Sequence, residues 1–198
     1  MRRMLLLATT TTTMLFAVLV IGGVAYALTF TCEGQGDPDP GGECLGTETA
    51  DTITGTKSGD RILALQGDDT VDGRGASDLV IGNEGSDILH GRGGSDELYG
   101  EAEVGESAGD DALFGESGED LLIGRGGNNE YFGASGPDEI LANESGTSET
   151  ETVSAGTGND RILAEDGAAD DIDCAGGRDQ VDVGSGDTTR NCEITINP

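Results

Sequence analysis

Apolar side chains recur along this chain with a period of nine. An acid, or a residue standing in for one, falls at Asp51, Asp60, Asp69, Asp78, Asp87, Asp96, Asp111, Asp120, Asn129, Asp138, Glu151, Asp160, Asp170 and Asp179. Two residues after each stands one apolar side chain: Ile53, Ile62, Val71, Val80, Leu89, Leu98, Leu113, Leu122, Tyr131, Ile140, Val153, Ile162, Ile172 and Val181. Glycine commonly opens a unit and commonly sits two residues before the acid, as at Gly67, Gly85, Gly94 and Gly118, which marks turn positions. A fixed period of this kind overrides local propensity. It predicts stacked repeats whose apolar column is the core.

Units such as GNEGSDILH and GRGGSDELY resemble the hemolysin-type calcium-binding (RTX) nonapeptide GGxGxDxUx over about residues 46 to 182. The resemblance implies an all-β, right-handed parallel β-roll solenoid with two repeats per coil. In it six residues form a calcium-binding turn and three form a short strand. The chain departs from the pattern at the second position, where only Gly156 supplies the expected glycine. Side chains such as Arg74, Asn83 and Arg92 must therefore tolerate a backbone geometry that glycine accepts more readily.

With two units per coil, alternate units stack on opposite sheets, and equivalent residues lie about 4.8 Å apart along the stack. The turns ending at Asp60, Asp78, Asp96, Asp120, Asp138, Asp160 and Asp179 have no insertion. The turns ending at Asp51, Asp69, Asp87, Asp111 and Asp170 share their edge with Asn129, Glu151 and all the insertions, within 100–110, 142–150 and 164–169. One regular and one degraded edge are expected, together binding several calcium ions. Calcium suits an oxygen-rich turn because it takes six to eight oxygen ligands in flexible geometry, whereas zinc favours His and Cys. Without the ion, carboxylates stacked this closely repel by about 1 kcal/mol per pair even at the dielectric of water. Metal binding is thus expected to drive folding.

The residue after each core position points outward. On the regular units it is Leu63, Ile81, Tyr99, Ile123, Leu141 and Leu163, and on the others mostly polar, with Phe114 and Phe132 as exceptions. This stripe reads as a docking face for a protein partner, a second copy or the chain's own N-terminal segment, or as ordinary strand propensity.

The chain begins Met1-Arg2-Arg3, continues through an apolar stretch and reaches Ala25-Tyr26-Ala27, a small-x-small cleavage pattern. Residues 1–27 read as a secretory signal peptide. An uncleaved anchor is the rival, but Met14 to Leu28 falls short of the roughly 20 apolar residues that span a bilayer. The formal charge is −29, and removing 1–27 makes it more negative still. Such charge excludes nucleic acid and anionic membranes as partners, and the mature chain is expected in the extracellular space without membrane insertion. Four cysteines suit an oxidising compartment. Cys174 and Cys192 stand two units apart, as a staple on successive coils requires, at the end where Thr188 replaces the acid in a cap over 183–198. Cys32 and Cys44 would then tie a linker over 28–45, although four cysteines permit three connectivities.

No enzyme is expected. Gly105-Glu106-Ser107-Ala108-Gly109 has the form of a nucleophile elbow, but its base should follow the serine, and the one histidine, His90, precedes it inside a repeat. Asp37-x-Asp39 lacks a third ligand of a calcium loop, and Asn143-Glu144-Ser145 is a sequon too common to assign. The function these features favour is a secreted, calcium-dependent structural or interaction module. A calcium-dependent adhesin is the alternative.

Overall fold

The computed structural model describes residues 28–32, 43–102, 109–142 and 149–196. The signal segment, the Asp37-x-Asp39 loop, Ser107 and the Asn143 sequon lie outside the described residues. Every strand in the described residues pairs in parallel with the strand two units away. One sheet runs through Thr29–Thr31, Thr52–Thr54, Thr70–Asp72, Ile88–Gly93, Ala112–Ser117, Glu130–Ser135, Thr152–Gly158, Asp171–Asp173 and Thr188–Arg190, with Gly176–Gly177 at its margin. The other runs through Glu43–Leu45, Arg61–Gln66, Leu79–Glu84, Glu97–Tyr99, Leu121–Ile123, Glu139–Leu141, Arg161–Ala164, Gln180–Val183 and Ile194–Ile196. The chain is a parallel β-roll of two sheets with two units per coil, as the period requires.

All fourteen residues of the apolar column are buried, from Ile53 to Val181. Successive members meet across the sheets in register, Ile53 beside Val71 and Ile62 beside Val80. A second column lies at the residue that opens each unit, where Ala64, Ala142, Ala155, Ala164 and Cys174 replace glycine and are buried in turn. The core is thus one side chain deep from each sheet. Each large member contributes roughly 1.5–3 kcal/mol while its unit orders nine residues at about 1–2 kcal/mol apiece, so burial alone does not carry the fold.

The turns take the strained geometry expected at their second position. Leu65, Arg74, Asn83, Arg92, Glu116, Arg125 and Ala134 all have φ between 73° and 87°. At the fourth position of several turns glycine is required for a different reason, although Ser58 and Ala76 occupy it elsewhere. Gly118 has φ of 147°, and a Cβ there would strike the carbonyl oxygen of Gly94 on the neighbouring coil.

The roll extends past its expected limits at both ends. The segment expected as a linker, 28–45, supplies a strand to each sheet: Thr29–Thr31 beside Thr52–Thr54, and Glu43–Leu45 beside Arg61–Leu63. Cys44 stands in the apolar column opposite Ile62, and its disulfide to Cys32 closes with Cα atoms 5.7 Å apart. At the other end Thr188 pairs with Asp171, one register position past the acid, and Asp187 holds the acid position instead of Thr188. The last turn is one residue short, which a strict count of nine does not reveal. The Cys174–Cys192 disulfide forms as expected, with Cys192 one residue beyond the position opposite Cys174.

Candidate metal edges

Each acid of the repeat is buried and holds its neighbour in place. The backbone N–H of Asp51 donates to Oδ1 of Asp69 at 2.6 Å, and the same bond recurs from Asp60 to Asp78 and from Asp69 to Asp87, both at 2.7 Å. It continues from Asp78 to Asp96 and from Asp87 to Asp111 at 2.8 Å, and ends on the second edge from Asp160 to Asp179 at 3.0 Å. The carbonyl of each acid accepts from the strand beside it, Asp51 O from Thr70 N–H and Asp60 O from Leu79 N–H. Asp is therefore a ladder residue on both edges.

The other carboxylate oxygen has no such role. Oδ2 of Asp69, Asp78, Asp87, Asp96, Asp111, Asp120, Asp138, Asp160, Asp170 and Asp179 is buried without a hydrogen-bond partner. In most of these units it lies against the residue that opens the unit: a Cβ on Gly115 or Gly133 would stand 2.5 Å from Oδ2 of Asp120 or Asp138. Burying polar oxygen without a donor is costly, and burying it charged is costlier. Desolvation accordingly raises the carboxyls, outweighing the N–H bond each accepts. Asp69, Asp78, Asp87 and Asp138 are pushed up to about 7 and Asp96 to about 6. Asp111 rises to about 9, also by burial first, with the Glu101 carboxylate beside it adding repulsion. Asp120, Asp160 and Asp170 are raised for the same leading reason.

A divalent cation bound by oxygen fits this donor set. It would neutralise the stacked carboxylates and give the orphaned oxygens a partner, and among the described residues no histidine or free thiol stands in the columns to favour a softer metal.

The expected ligands do not all stand alike. Asp51 and Asp60 have their second oxygens satisfied within their own turns, by the N–H of Thr47 at 2.7 Å and of Thr56 at 2.6 Å. Both donors sit at the second position of the turn, where a β-branched side chain resists positive φ. Those two turns keep an N–H pointed at the carboxylate, and the threonine in each is the sequence signal. At Asn129 the ladder survives, since its Oδ1 accepts from Asp111 N–H at 2.9 Å. Its amide nitrogen donates to the carbonyls of Gly126 at 3.1 Å and Gly127 at 3.4 Å, so this turn binds its own carbonyls with a side-chain donor. Two carboxylates escaped the period altogether. Glu101 is buried and accepts from Gly109 N–H at 3.0 Å, and Asp166 lies in the lengthened turn before Asp170.

The outward stripe is continuous: Leu63, Ile81 and Tyr99 pair in register, as do Tyr99, Ile123, Leu141 and Leu163. Its side chains are half-buried, flanked by ion pairs such as Arg61–Glu43 and Arg161–Glu139. Among the described residues the exposed large hydrophobic is Ile88, on the opposite sheet. That sheet also carries a stack of His90, Phe114 and Phe132 at 4.6 Å between ring centres. No helix among the described residues is long and apolar enough to cross a membrane.

A parallel roll of nine-residue units, with a buried carboxylate ladder down each edge, is the architecture of a repeat protein built around bound cations. The RTX calcium-binding nonapeptide repeat model matches residues 45–80, 72–103, 107–140 and 145–168, and the chain belongs to that family. No curated protein and no solved structure matches it. The matches end at residue 168, whereas the roll continues through the unit of Asp179 and on to Ile196.

Proposed function

We propose that this protein is a secreted calcium-binding β-roll that folds as the ion binds, and that it serves as a structural or interaction module without catalysis. The carrying observation is the run of ten buried Asp Oδ2 atoms without a partner, arranged along both edges. The ligands proposed are Asp78, Asp96, Asp120, Asp138, Asp160 and Asp179 on the regular edge and Asp69, Asp87, Asp111 and Asp170 on the other. Asp51 and Asp60 serve the fold through their turn threonines. Secretion is supported by the cleavable apolar N-terminus, by two disulfides and by the abundance of calcium outside cells. Inside the cell the unneutralised ladders keep the chain unfolded for export.

Far-UV circular dichroism of the full chain during a calcium titration, with magnesium as the control, tests this reading. Parallel-sheet signal is expected to appear with calcium and not with equal magnesium, which keeps its waters and demands octahedral geometry. A chain fully folded in chelator and indifferent to calcium overturns it.

A further inference from the structure

The degraded edge, that of Asp69, Asp111 and Asp170, contains a feature that the repeat does not generate. Glu151 replaces the usual Asp, and the turn before Asp170 is one residue longer than the nine-residue period allows. Read along the sequence, both are losses of pattern. In the structure they converge, because oxygens of Glu151, Asp166 and Asp170 all lie within 4.8 Å of one another. Glu151 and Asp170 are fully buried, and the N–H of Glu151 donates to Oδ1 of Asp170 at 3.0 Å. Asp166 is held by the N–H of Ala168, which donates to its Oδ1 at 2.8 Å. Oδ2 of Asp166 and Oδ2 of Asp170 are buried with no N–H donor, and the Asp170 carboxyl meets that of Glu151 side chain to side chain. Asp187, next along the edge, accepts from Asp170 N–H at 3.3 Å and adds its charge to the same region.

The geometry points to a calcium site that the repeat does not build, in which Glu151 and Asp166 join the turn ligand Asp170 so that three side-chain carboxylates share one ion. Two oxygens on one calcium, each at 2.3–2.6 Å, stand at most about 5 Å apart, which the cluster meets. The ordinary turns bring one carboxylate per unit. Here the extra methylene of Glu151 and the extra residue of the 164–169 turn bring three together. Affinity in such sites rises with the number of charged ligands, so this ion binds before those of the regular turns. It would pin the end of the roll beside the Cys174–Cys192 staple, where the family match runs out at residue 168. The choice of ion rests on the proposed function; the site itself rests on its own three side chains.

Isothermal titration calorimetry of the full chain with calcium chloride tests it against Asp166→Asn and Glu151→Gln. Asp166→Asn keeps an Oδ1 acceptor for Ala168 N–H, so the turn is retained. Each variant is expected to lose one ion from the tightest class, that step weakening at least about tenfold, while the remaining ions and the calcium-driven circular dichroism change persist. Unchanged ion count and affinity in either variant overturns the site and leaves the turn ligands standing. A wild-type chain that binds one ion, lost in both variants, keeps this site and overturns the turn ligands instead. A wild-type chain that binds no calcium overturns both.

Discussion

At the scale of the residue, the repeat asks two different things of its turns, and the chain meets them unequally. At Gly118 the fourth position has no room, unlike that of Ala76: a side chain on Gly118 meets the backbone carbonyl of Gly94, which moves only if the coils part. The second position has room but the wrong dihedral, as at Arg74, exposed with φ of 78°. Gly118→Ala is therefore expected to cost roughly 2–4 kcal/mol, lowering the melting temperature in excess calcium by about 5–15 °C. Arg74→Gly relieves the left-handed strain and is expected to gain up to about 1 kcal/mol, a rise of a few degrees. Equal and opposite signs from those forecast would show that turn backbone does not govern stability. At this scale the sequence was highly legible. The apolar column and the acid column were both read from spacing alone, because one side chain per unit has no alternative place to go. What spacing did not reveal was the split within the acids. Thr47 and Thr56 differ from Arg74 and Arg92 through a dihedral preference, and that preference decides whether Oδ2 of the following Asp is already satisfied.

At the scale of the element, the irregular units were the hardest to read. Counting by nine placed Thr188 at the acid position, and the structure places Asp187 there because the last turn is one residue short. The strands Thr29–Thr31 and Glu43–Leu45 escaped because three-residue strands carry almost no periodic signal of their own. The ends of a solenoid contact only one neighbour, so their stability depends on local ties. Replacing Cys174 and Cys192 by serine removes a link across 18 residues, which constrains the unfolded segment by about 3 kcal/mol. The expected result is local: amide exchange at Thr188–Arg190 accelerates at least about a hundredfold in saturating calcium, while amides of the central strands Leu121–Ile123 and Glu139–Leu141 keep their protection. Uniform acceleration along the whole roll would mean instead that the coils unfold as one unit and that the staple supports all of them.

At the scale of the whole molecule, protons and calcium compete for the same oxygens, and this fixes the sign of the pH dependence. An Asp in an unfolded chain titrates near 3.9, whereas the buried column is raised, Asp69, Asp78, Asp87 and Asp138 to about 7 and Asp111 to about 9. A raised carboxyl favours the fold only while it is protonated. In chelator, the stability these groups supply is thus fully present below about pH 4 and is lost as pH rises through about 7. Calcium acts in the reverse sense, because its ligands must be ionised. The metal-free chain is expected to gain parallel-sheet signal as pH falls from 8 to 5, while the calcium concentration needed to reach half of the calcium-driven change increases over the same range. Relief of the net charge of −29 alone would act lower, where exposed carboxylates titrate near 4, and would be mimicked by added salt. A transition centred near 7 that salt does not reproduce belongs to the buried ladders. A metal-free chain whose circular dichroism stays flat between pH 5 and 8, in a protein that still binds calcium, would show that the carboxylates reach solvent before the ion arrives, and that the ion itself closes the edges around them.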